Sequence, residues 1–84
     1  MRHPPVLQRM AAAFAFGIAA NHPFVDGNKR TALIASLTFL KLNGLHLNAE
    51  KTERYQMFYG LAAGTVSEDD LADWFVRHTS PSQT

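Results

Sequence analysis

Apolar positions recur at three- and four-residue steps along most of this chain. Val6, Leu7, Met10, Phe14, Gly17 and Ile18 follow that spacing and predict a first amphipathic helix with these residues facing inward. Pro4 and Pro5 suit its first turn, where a backbone N–H has no helical partner. The helix should end near Asn21, because Pro23 disfavours helical dihedrals at His22. A loop is expected from Asn21 to Gly27, with Asp26-Gly27 as its turn.

A second helix is predicted from about Asn28 to Leu42. Leu33, Leu37 and Leu40 share one face, Ile34 flanks them, and Asn43-Gly44 is the stop signal. Apolar residues on more than one of its faces point to a central position. Leu45 to Leu47 reads as a short connector. Asn48 then suits the N-cap of a third helix carrying Tyr55, Phe58, Leu61 and Ala62 and ending at Gly64. Ser67 and Asp70 have the spacing of a capping box, and Glu68 and Asp69 complement the positive end of the helix dipole. The fourth helix turns Leu71, Trp74 and Phe75 inward. The prediction is an all-α bundle of about four helices over residues 1–78, with residues 79–84 as a flexible tail.

Composition supports the helical reading. Ala, Leu and Met total 24 of the 84 residues, against six for Val and Ile. Twelve of the apolar residues are alanine, so few large side chains are left to build a core. Self-association, or a partner covering apolar surface, would therefore help so small a domain. A net charge of +1 with 18% charged residues argues against a disordered polyelectrolyte and against a strongly basic nucleic-acid binder. A helix-turn-helix DNA binder fits helices of this size, but not this charge or the acidic start of the last helix. There is no cysteine, hence no disulfide and no thiolate metal site. No apolar run reaches the roughly 18 residues of a membrane span. The stretch from Ala11 to Ala20 lacks the flanks of a signal peptide. A cytoplasmic location is the expectation.

One segment differs from ordinary bundle sequence: His22-Pro23-Phe24-Val25-Asp26-Gly27-Asn28-Lys29-Arg30. It feeds a helix N-terminus, where unpaired N–H groups and the dipole favour anions. Gly27 permits the backbone twist that converges successive N–H groups into an anion nest. Lys29 and Arg30 add full charges, and Arg30 has the fork that grips phosphate at two points. Asp26 is a hard anionic ligand suited to Mg²⁺ shared with phosphates. His22 has an unperturbed pKa suited to taking a proton near neutrality. Each residue alone has a structural explanation: Asp26 as a cap, Lys29 and Arg30 as a solvated first turn, His22 as an inert loop residue. Cations in a first turn oppose the dipole, however. The full set within nine residues fits transfer of a phosphate-containing group from a nucleotide to a hydroxyl.

The same segment resembles the signature of the Fic/Doc family, His-Pro-Phe-x-Asp/Glu-Gly/Ala-Asn-Lys/Gly-Arg, without a break from His22 to Arg30. The likeness continues through Thr31-Ala32-Leu33, as in the Doc (death-on-curing) branch. It extends to Ala15-Phe16-Gly17-Ile18-Ala19 before the signature. After it come Phe39-Leu40, Asn43-Gly44 and Gly60-Leu61-Ala62-Ala63-Gly64. The resemblance implies a Fic-fold core. His22 would be the general base, Asp26 would hold Mg²⁺, and Gly27, Asn28, Lys29 and Arg30 would bind the phosphates of ATP. Phe24 would be the buried anchor of the loop.

Lys29 stands where AMP-transferring members usually carry glycine, and Leu33 where they carry a second arginine. The Doc branch shares both features. The resemblance therefore implies phosphoryl transfer from ATP–Mg²⁺ to a protein hydroxyl, namely a threonine of a translation elongation factor. Adenylyl transfer and a catalytically silent interaction module are the alternatives. Doc-like proteins usually begin with further helices and carry a flap that aligns the target. Neither is visible here, so the chain is expected to be an N-terminally short member. The inhibitory Ser/Thr-x-x-x-Glu-Gly/Asn motif of many Fic proteins is also not found. The resemblance implies instead a toxin held by a separate antitoxin, whose helix enters a groove.

Other residues have blander expectations. Trp74 and Phe75 read as core or dimer contact, and Tyr55, Met57, Phe58 and Tyr59 as core. His3, His46 and His78 read as surface residues rather than metal ligands. Glu50 and Arg54 have i,i+4 ion-pair spacing.

Overall fold

Helix α1 (Val6–Asn21) turns its alanines, rather than its large apolar residues, toward the rest of the molecule. Ala11, Ala12, Ala15 and Ala19 are buried, whereas Val6, Met10 and Phe14 are each about half exposed. The expected inward face is thus displaced by one residue, about 100° round the helix. The cause is geometric. The first helix packs against both the second and the fourth, and only small side chains allow two backbones that close. Of the expected inward residues, Ile18 packs at the edge of the core, and Phe14 reaches the Phe39 ring at 6.3 Å between centroids.

The computed structural model describes residues 6–21 and 26–81. Helix α2 (Asp26–Leu42) runs through the middle, against α1 on one side and later elements on the other. Ala32, Ser36 and Leu40 are its most buried residues, at four-residue steps. Ser36 is fully buried and satisfies its hydroxyl on the Leu33 carbonyl at 3.1 Å. Leu33 and Leu37 are half-buried, and Ile34 faces solvent. Gly44 ends this helix with a left-handed φ of 82°. The Asn43 amide side chain caps the Phe39 carbonyl at 2.8 Å.

Two segments differ from expectation together. Leu45–Leu47, expected as a connector, is strand β1, and Thr79–Pro81, expected as the start of the tail, is strand β2. They pair antiparallel, with Leu45 opposite Pro81, His46 opposite Ser80 and Leu47 opposite Thr79. Such pairing lies 34 residues apart in sequence (His46 to Ser80), so no local pattern announces it. Asn48 serves the same junction: its N–H bonds the His78 carbonyl at 2.7 Å and its side chain the Ser80 hydroxyl at 2.9 Å. It is therefore not the N-cap of the next helix. That position belongs to Glu50, which makes no side-chain cap.

Helix α3 (Lys51–Ala63) buries Phe58 and Leu61. Tyr55 and Tyr59 are exposed, against the core reading of that aromatic turn. Arg54 directs its Nε to the Ala49 carbonyl at 3.0 Å rather than to Glu50, which lies outside the helix. Gly64 caps α3 with a φ of 86°. Helix α4 (Glu68–His78) starts at the expected capping box, Ser67 Oγ accepting from the Asp70 N–H at 3.0 Å and Asp70 from the Ser67 N–H at 3.1 Å. Leu71, Trp74 and Phe75 are buried as predicted. Among the described residues the architecture is an all-α bundle of four helices closed by a short two-stranded ribbon.

Candidate functional site at the start of the second helix

The chemistry-bearing segment joins two helices that pack on each other. α1 ends at Asn21 and α2 starts at Asp26. His22 and Phe24, with Pro23 and Val25, lie outside the described residues. Asp26, Gly27, Asn28 and Lys29 form the first turn of α2.

That placement corrects one expectation. The helix begins two residues before Asn28, so Asp26 and Gly27 are helical and do not form a turn. First-turn residues need no helical partner for their N–H groups, so a glycine there loses no hydrogen bond. The backbone at Asp26 to Lys29 is accordingly a helical first turn, where the expectation was a twisted nest. Arg30, at the end of that turn, is exposed, and its guanidinium has the fork that suits phosphate. Together, the positive end of a 17-residue helix and an exposed guanidinium suit phosphate oxygens. Gly27, Asn28, Lys29 and Arg30, the residues expected to hold nucleotide phosphates, all lie at this helix start. A carboxylate at position 26 has the hard-donor chemistry Mg²⁺ requires.

Other titratable groups have structural roles. His78, expected at the surface, is half-buried between elements. Its Nδ1 lies 2.9 Å from the Trp74 carbonyl, its Nε2 lies 3.3 Å from Glu53 Oε2, and its ring packs on Trp74 at 5.1 Å. The sequence signal for this was the i,i+4 spacing of Trp74 and His78. His46 is exposed on β1, as expected. Among the described residues no group of three or more His, Cys, Asp or Glu side chains is placed to hold a metal. None of the described helices is long and apolar enough to cross a membrane.

Comparison with known proteins bears on the same segment. The model of the Fic/DOC family matches residues 2–40, which include the whole stretch from His22 to Arg30. The chain is similar to a protein named Toxin Doc of Mycolicibacterium smegmatis (strain ATCC 700084 / mc(2)155). The two are 52% identical over 46 residues, covering 55% of this chain and 35% of that protein. It is also similar to the Protein kinase doc of Escherichia phage P1, at 36% identity over 67 residues, covering 80% of this chain and 52% of that protein. The aligned regions therefore span between a third and about half of the length of these relatives. No solved structure matches significantly.

Proposed function

This chain belongs to the Fic/Doc family, in its Doc branch, and from that premise we propose that it carries the phosphotransferase core of a Doc-like toxin. The observation that carries the proposal is the unbroken His22–Arg30 signature, whose phosphate-binding half coincides with the first turn of α2. The name of the phage relative, a protein kinase, supports phosphoryl rather than adenylyl transfer, as do Lys29 and Leu33.

The chemistry assigned to the residues is short. His22 takes the proton from a serine- or threonine-type hydroxyl of a target protein, making its oxygen nucleophilic. Gly27, Asn28 and Lys29 offer N–H donors to phosphate oxygens, and Arg30 adds a charged fork that holds them. Asp26 holds Mg²⁺. Phe24 has the assigned role of apolar anchor of the loop. ATP–Mg²⁺, when bound, supplies the phosphoryl group that is transferred. The proposed target is a translation elongation factor, and modifying it would halt protein synthesis. The proposed regulator is an antitoxin whose helix occupies a groove on the toxin.

The test uses ATP labelled separately at the α and γ phosphates, incubated with the chain and an elongation factor. Label from the γ position on a threonine, lost in His22→Ala, is the expected result. Label from the α position would establish adenylyl transfer instead. A chain that binds no ATP and leaves growth unaffected on expression would be a silent module, and the enzymatic reading would fall.

A further inference from the structure

Away from the signature, α2 ends beside β1, and α3 packs across the same region. Between them lies a groove of about 200 Å³ lined by Leu37, Lys41, Leu45, His46, Leu47 and Arg54. Its composition is two-part. Leu37, Leu45 and Leu47 make an apolar floor. Lys41 and His46 are exposed beside it, and Arg54 is half-buried. Arg54 is held in place by its Nε bond to the Ala49 carbonyl at 3.0 Å, which leaves its terminal nitrogens for other partners.

None of these three residues is paired with a carboxylate among the described residues. Lys41 has a local explanation, because a cation in the last turn complements the α2 dipole. That explanation does not reach His46 on the strand or Arg54 on α3. Basic groups from three elements thus converge on one apolar depression. The acidic residues of this fold are elsewhere: Glu68, Asp69 and Asp70 open α4, and Asp73 pairs with Arg77. Glu53, next to Arg54 in sequence, turns its carboxylate to Trp74 and His78 instead, and Glu50 stands at the N-cap of α3.

Size decides between kinds of occupant. Pockets that enclose a whole small molecule run from about 300 to 1,000 Å³. This groove is smaller and suits one anchoring side chain with its charged neighbours outside. Anchors seated in such depressions dominate protein interfaces, and complementary charge around them sets partner choice.

From this arrangement we infer that the α2–β1–α3 groove binds an acidic protein segment, one large apolar residue seated on Leu37, Leu45 and Leu47 with flanking Asp or Glu side chains on Lys41, His46 and Arg54. The inference is independent of the phosphotransfer reading, since it uses no residue of the signature.

The test is a titration with the capped peptide Asp-Glu-Leu-Glu-Asp, read by amide chemical shifts of the whole chain. Saturable shifts confined to Leu37, Lys41, Leu45 to Leu47 and Arg54 are expected. They should weaken about tenfold or more in the exposed-residue variants Lys41→Gln and His46→Glu, and also on raising the salt. The salt series keeps the test decisive should either variant misfold. A peptide with serine for leucine should bind more weakly, and one with lysine for the acids should not bind. Three results would overturn the proposal. One is no saturable shift with the acidic peptide. Another is equal shifts with inorganic phosphate alone, which would make the groove a simple anion site. The third is concentration-dependent shifts there without any peptide, which would make a second copy of the chain the occupant.

Discussion

Trp74 Nε1 donates a 3.1 Å hydrogen bond to Glu53 Oε2, across the packing of α4 on α3. The indole is 3% exposed, so this carboxylate is what keeps a buried N–H paired. The same oxygen lies 3.3 Å from His78 Nε2. One acidic side chain thereby positions both polar groups on the inner side of α4.

Removing it should loosen the α3–α4 contact. Glu53→Ala leaves the indole N–H without its partner and is expected to cost about 1–3 kcal/mol. Glu53→Gln keeps a carbonyl acceptor and should cost clearly less. Urea unfolding midpoints of the two variants check the difference, and equal losses would contradict the hydrogen-bond account.

Two helical glycines should respond oppositely to alanine. Around Gly17 a new Cβ meets nothing within 4 Å, so Gly17→Ala should gain about 0.8–1 kcal/mol of helix propensity. At Gly60 the new methyl runs into the Val66 side chain. Gly60→Ala should therefore lose about 1–3 kcal/mol through overpacking, more than propensity returns. Thermal melts of both variants give the signs directly.

The displaced face of α1 makes a contrast within one helix. Met10→Lys changes an exposed residue and should alter stability by no more than about 0.5 kcal/mol. Ala15→Leu enlarges a residue with no exposed surface, and should cost about 1–3 kcal/mol. Hydropathy of the two residues alone would forecast the reverse order, so denaturation curves distinguish the readings.

Arg30 should matter for ligand and not for fold. It is exposed, so Arg30→Ala is expected to leave the unfolding midpoint unchanged within about 0.5 kcal/mol. On the proposed function, ATP affinity measured by calorimetry should fall by about tenfold or more, because a charged two-point phosphate contact is lost.

What could be read from the sequence divides along physical lines. The helices, the left-handed glycines at 44 and 64 and the Ser67–Asp70 box were legible, because each is set within a few residues. The inward face of α4 was legible because its large apolar residues are also its buried ones. On α1 the two sets differ, since close helix contact selects Ala11, Ala15 and Ala19 over Met10 and Phe14. The β1–β2 pairing and the Glu53–Trp74–His78 contacts were not legible, because their partners meet only after α3 and α4 dock. For the candidate site, the signature supplied the assignment of residues. The structure adds where its second half falls, on a helix that begins two residues earlier than the pattern suggested.

The fold also imposes an order on its own assembly. Thr79 accepts a hydrogen bond from Gln8 at 2.9 Å and donates one to the Phe75 carbonyl at 2.6 Å, so the first helix is tied to the last strand. The alanine face of α1 packs partly on α4. The part of that face that meets α4 therefore waits for the segment holding Leu71, Trp74 and Phe75. Until then the helical hairpin carrying the signature has an uncovered side. Folding should consequently be a single late event rather than a succession of helices.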